Sequence, residues 1–166
     1  MTTIPPDATA RLFLRHSLAT LAYRAGKVLR DAPNGFGEFR PEAGSRSAAE
    51  ILAHMGDLMD WVLTQAKGDI RWNNSTPLAW QDEIARFYRS LAAVEDHLVS
   101  GAALGYEPGR MFQGGIADAL THTGQLAMLR RLSGYKMKGE SYARADVEAG
   151  RVGLEQVPPD PRAEFD

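Results

Sequence analysis

Apolar residues recur at helical spacing in four stretches of the chain, parted by clusters of Gly, Pro, Asn and Ser. The first stretch, from about Thr9 to Arg30, sets Leu14, Leu18, Leu21, Ala25 and Val28 on one face. It ends at the turn-forming run Asp31-Ala32-Pro33-Asn34-Gly35. The second opens on Ser47-Ala48-Ala49-Glu50, a capping box in which Ser47 accepts from the N3 amide and Glu50 reaches back. From there Ile51, His54, Leu58, Trp61 and Gln65 trace one stripe until about Lys67. The third is predicted from Pro77 to about Val99, with Thr76 as N-cap and Pro77 at N1. Its stripe is Trp80, Ile84, Phe87, Leu91, Val94 and Leu98. The fourth runs from near Gly114 to Leu132, with Gly134 placed to end it. Asp118, His122, Gln125, Leu129 and Leu132 form its inward line.

No strand-like alternation competes with these periods, and there is no internal repeat. The pattern therefore predicts an all-α fold, a four-helix bundle over residues 1–134. Residues 135–166, rich in Gly, Pro, Arg and Asp, read as an extended C-terminal tail on or beside the bundle. A chain of 166 residues suits one domain.

Composition narrows the chemistry. Charged residues are 24% of the chain and the net charge is −2, so there is no basic footprint for nucleic acid and no polybasic membrane patch. There are no cysteines, which excludes disulfides, thiolate metal sites and a cysteine nucleophile. Met1 to Asp7 lacks the charged and apolar regions of a signal peptide, and no apolar run is long enough to span a membrane, so the expected location is cytoplasmic.

The informative residues are polar ones on faces expected to be buried. His54 lies in the second stripe, and Asp118 and His122 lie four apart in the fourth. Side chains at i and i+4 share a helix face, so this carboxylate and imidazole can converge on one cation. An imidazole from a neighbouring helix completes a three-ligand set. A divalent ion would also relieve the cost of an unpaired carboxylate in a core. Two His and one carboxylate suit Zn²⁺ first, and also Ni²⁺, Fe²⁺ or Mn²⁺, and leave positions open for water or substrate. The competing reading is a hydrogen-bonded core histidine beside a solvent-facing aspartate.

Gln125, one turn beyond His122, is placed to orient a ligand or a water. His16 and His97 read as surface or boundary residues, Arg130 and Arg131 as partners of their own helix dipole, and Trp61, Trp72 and Trp80 as packing. Glu-x-x-His pairs, His-Glu-x-x-His, a phosphate-binding loop and a Gly-x-Ser-x-Gly elbow are all missing from the sequence.

The segments Ser47-Ala-Ala-Glu-Ile-Leu-Ala-His54 and Asp118-Ala-Leu-Thr-His122-Thr-Gly-Gln-Leu126-Ala-Met-Leu-Arg-Arg-Leu-Ser-Gly134 resemble the DinB/YfiT-like family of bacterial four-helix bundles. The resemblance extends over about residues 9–134. It implies a metal held by His54, Asp118 and His122, with Asp118 standing where many members have His. It further implies a homodimer and a small-molecule substrate, with either hydrolysis or transfer dependent on a low-molecular-weight thiol. The alternative within the same family is a non-catalytic, stress-related binding protein or structural dimer. No separate general base stands out, and the capping box accounts for Glu50.

Overall fold

The computed structural model describes residues 6–166 and is all-α apart from one very small sheet. The sequence reading of Met1 to Asp7 as leaderless falls mainly outside the described residues. Four long helices surround one core: α1 (Pro6–Leu29), α2 (Ala48–Ala66), α3 (Trp80–Val99) and, after a single turn α4 (Pro108–Met111), α5 (Ala117–Leu132). Helix α2 packs on α3 and α5, and α1 packs on the same two, so α1 and α2 stand diagonally across the core. Among the described residues no helix is long and apolar enough to cross a membrane.

The stripes of α1 and α3 are buried throughout, from Leu14 to Val28 and from Trp80 to Leu98. Burial at roughly 25 cal/mol per Å² of apolar surface drives their association. The capping box forms as expected, with Glu50 N donating to Ser47 Oγ at 3.2 Å and Ser47 N to a Glu50 oxygen at 2.7 Å.

Two helix starts differ from expectation. Helix α3 begins at Trp80, not Pro77, and its N-cap is Ala79. Glu83, buried one turn inside, accepts from Leu78 N at 2.9 Å, so a carboxylate takes the capping role expected of the Thr76 hydroxyl. The fourth stretch starts earlier than Gly114, because the Glu107 carboxylate caps Gly109 N and Arg110 N. A π-helical segment, Phe112–Ile116, then joins α4 to α5.

Arg130 also departs from expectation. Its buried guanidinium donates to Val28 O at 2.5 Å and Arg30 O at 2.7 Å, closing the carboxyl end of α1 instead of its own helix.

The tail is pinned to α1. Strands β1 (Gly139–Glu140) and β2 (Glu164–Phe165) pair antiparallel, which sets Glu140 opposite Glu164. Lys27 Nζ lies between these like charges, 2.9 Å from Glu140 and 2.8 Å from Glu164, and Tyr23 Oη donates to Glu140 at 2.6 Å. Val152 reaches the core itself.

Candidate metal centre

Helices α2 and α5 approach closely because the π segment is built on Gly114-Gly115. A Cβ at Gly115 would overlap Val62 Cγ2, and one at Gly114 would meet the Trp61 ring at 3.1 Å. This contact lies just before Asp118 and carries α5 alongside the turn of α2 that holds His54.

The outcome is a cluster of His54, Asp118 and His122, each offering one donor atom, all within 4.8 Å of one another. The carboxylate stands between the rings: Oδ2 lies 3.6 Å from His54 Nε2 and Oδ1 lies 3.6 Å from His122 Nε2. The imidazoles meet edge to face with centroids 4.8 Å apart. On the far side of its ring, His122 Nδ1 is 2.8 Å from Gln125 Oε1. The Gln125 oxygen can only accept there, which sets the proton on Nδ1 and leaves the Nε2 lone pair facing the cluster.

These separations bear on what the group can do. At 3.6 Å the His–Asp distances exceed the usual hydrogen-bond range of about 2.7–3.2 Å. They approach the separation of about 3.4 Å that two ligands take on a tetrahedral ion with bonds near 2.1 Å. Two imidazoles and a carboxylate are, moreover, a donor set for a divalent cation. The residues fit such an ion.

The burial of the cluster corrects one expectation. Of the line Asp118, His122, Gln125, Leu129 and Leu132, only Leu129 is buried in the core. Ala119, Thr123 and Leu126 join it on the inward face, and Leu132 is 60% exposed. Asp118 is 44% exposed and His122 12%, so the cluster sits at the rim of the helix assembly, open to solvent. Apolar residues run almost all round α5, which leaves its rotation weakly determined by the sequence.

The surroundings are partly aromatic and partly cationic. Trp72, from the α2–α3 connection, meets His54 edge to face at 5.6 Å and Trp61 at 5.9 Å. Trp80, by contrast, packs on Phe36 at 5.3 Å, far from the cluster in sequence and in role. Burial holds the His54 imidazole below its ordinary pKa, and repulsion by His122 and Arg46 adds to this against the attraction of Asp118. A neutral imidazole is the form that binds a metal.

Arg46 is the residue that periodicity could not single out, since it precedes the helix and lies on no stripe. It lines two clefts at once: one of about 490 Å³ that reaches His54, and one of about 460 Å³ that reaches His122 and Gln125. Glu50, beside the first cleft, is not a free base. Arg40 and the Ser47 amide hold its carboxyl down at about 2. His16 is exposed, and His97 is half-buried near the end of α3, remote from the cluster. Comparison with family models, with curated proteins and with solved structures yields no match.

Proposed function

We propose that this chain is a DinB/YfiT-like metal-binding protein that holds one divalent ion at His54, Asp118 and His122. The observation that carries the proposal is the pair of 3.6 Å His–Asp separations, too long for hydrogen bonds and near the spacing of ligands on a shared ion. The segments around His54 and from Asp118 to Gly134 support the family reading. Zn²⁺ suits the set best, and Ni²⁺, Fe²⁺ and Mn²⁺ also fit.

In the enzymatic form of this reading, the bound ion supplies Lewis acidity and acidifies a water or a low-molecular-weight thiol, giving hydrolysis or thiol-dependent transfer. The protein's own residues do the rest. Gln125 fixes the His122 tautomer, the edge of Trp72 limits rotation of His54, and Asp118 supplies the single negative charge. A second, non-catalytic reading is favoured by the neighbouring acids. Glu50 is tied to Arg40 and Ser47, and Asp57 to Arg86 and Ser75 N, so neither is free to move a proton. Turnover of a thiol co-substrate decides between the two. The family reading carries with it a cytoplasmic homodimer, which light scattering at micromolar concentration tests.

The metal assignment is tested by calorimetric titration of chelator-stripped, untagged protein. The expected result is about one Zn²⁺ per chain. Binding weaker than about 100 µM for all four ions would overturn the assignment, since that is far below what a His–carboxylate set supports.

A further inference from the structure

The charges around the two clefts balance almost completely. Arg40 pairs with Glu50 at 2.7 Å, Asp57 with Arg86, and Asp118 faces both histidines. Arg46 alone, exposed and shared by the two clefts, makes no ion pair or side-chain hydrogen bond among the described residues. It shares one cleft wall with His54 and the other with His122, so a molecule in either cleft can meet both Arg46 and the cluster. A divalent ion set against the one carboxylate of Asp118 leaves that cluster net cationic as well. The region is therefore doubly attractive to an anion.

The cleft on the His122 side adds a second, independent feature. Ser45, Arg46, His122 and Gln125 give it a polar side, and Pro41, Ile51, Met128 and Leu129 form an apolar one. Met128 is 63% exposed, a large apolar side chain with its face open beside a charged one. A volume of about 460 Å³ lies within the range of small-molecule sites.

We propose that Arg46 recognises a small carboxylate whose apolar body lies over Met128 and Leu129 and whose reacting end meets the His54–Asp118–His122 cluster. The inference rests on the metal-site reading for the reacting end, while its anion contact stands on Arg46 alone. The carboxylate is favoured over a phosphate by what stands beside Arg46. The amino end of α2 is the natural amide cradle for phosphate. Its capping box already consumes Ser47 N and Glu50 N and places the Glu50 carboxylate there. One guanidinium then remains, and its planar fork matches a carboxylate two bonds at a time.

The test uses the full chain loaded with Zn²⁺ and titrated calorimetrically with benzoate, benzyl alcohol and phenyl phosphate. Benzoate affinity should fall about tenfold in R46A and in R46Q, consistent with loss of a charge-assisted fork. Benzyl alcohol should bind wild type and variants alike, and phenyl phosphate should bind no tighter than benzoate. Zn²⁺ affinity should not fall in R46A, since Arg46 supplies no ligand atom and its positive charge opposes a cation. Equal benzoate affinity in wild type and R46A overturns the proposal, including the case in which the ion alone holds the anion. So does the absence of benzoate binding at millimolar concentration, and tighter phenyl phosphate binding overturns the carboxylate assignment. Repeating the titrations with chelator separates the two readings. Arg46-dependent binding that persists in chelator, in a protein whose Zn²⁺ titration shows no site, removes the metal reading and keeps the anion contact. One ion per chain with Arg46-independent binding does the reverse.

Discussion

Two polar clusters, one under the tail and one at the α2–α5 rim, are built from similar chemistry and closed in opposite ways. Under the tail, Lys27 and Tyr23 meet Glu140 and Glu164 at 2.6–2.9 Å, and the Glu140 side chain is wholly buried. The buried polar atoms of Tyr23, Lys27 and Glu140 all have partners there, as a buried polar group requires. At the rim, His54, Asp118 and His122 converge but stop at 3.6 Å, in partial contact with solvent. A satisfied network holds the fold in shape and has no capacity left for a ligand. The rim cluster gathers three donor atoms within 4.8 Å of one another without hydrogen bonds between them. Closure, more than residue type, separates the structural cluster from the candidate functional one.

The sharpest way to break the comparison is Glu140→Ala. It strands Lys27 and Tyr23 beneath the tail and should cost about 3 kcal/mol, the lower end for breaking a buried pair. Urea unfolding should show the same loss with Zn²⁺ and with chelator. A midpoint that barely moves would mean that the tail contributes little to stability.

His122→Ala and Asp118→Ala should act through the ion. At a free Zn²⁺ concentration about a hundredfold above Kd, binding stabilises the wild type by about 2.7 kcal/mol, and either variant should lose most of this. In chelator, Asp118→Ala should change stability by well under 1 kcal/mol, because a side chain 44% exposed and without a hydrogen-bonded partner is only partly desolvated. His122→Ala should cost about 1 kcal/mol there, the contact with Gln125 being its main polar loss. Shifts that are equal with and without metal in both variants would reduce the rim to ordinary polar packing.

Much of this architecture was legible in the residues, and the failures share a cause. The α1 and α3 stripes and the Ser47–Glu50 box are local patterns with one physical solution. So is the i, i+4 placement of Asp118 and His122. The start of α3 was misread because Glu83 caps from within the helix, overriding Thr76-Pro77. The rotation of α5 was misread because Leu120, Ala127 and Leu132 spread its apolar residues around the axis. Arg130 and Glu140 are buried only because partners about a hundred residues away meet them. Long-range pairing of that kind leaves no period in the sequence, and Arg46 gains meaning only once two clefts open beside it.

The two clusters should also part company with pH, and this is the smallest effect expected. Burial and the hydrogen bond to Glu140 push the Tyr23 hydroxyl well up. Burial acts to lower Lys27, but its bonds to Glu164 and Glu140 outweigh that and leave it raised. Both groups thus hold protons in the folded state that the unfolded chain releases near pH 10. Their contribution is complete below that pH and is lost as pH rises beyond it. His54 runs the other way. Its lowered pKa means that the unfolded chain takes up the proton first, near pH 6.5, so metal-free stability is complete above that pH and falls as pH drops. Urea unfolding of chelated protein at pH 5–7 and pH 9–11 separates the limbs. Glu140→Ala should flatten the alkaline limb and spare the acid one. His54→Gln should reduce the acid slope and spare the alkaline one. An acid slope unchanged in His54→Gln would show that the rim does not hold its imidazole neutral, and the contrast between a closed and an open cluster would then have to stand on the metal titration alone.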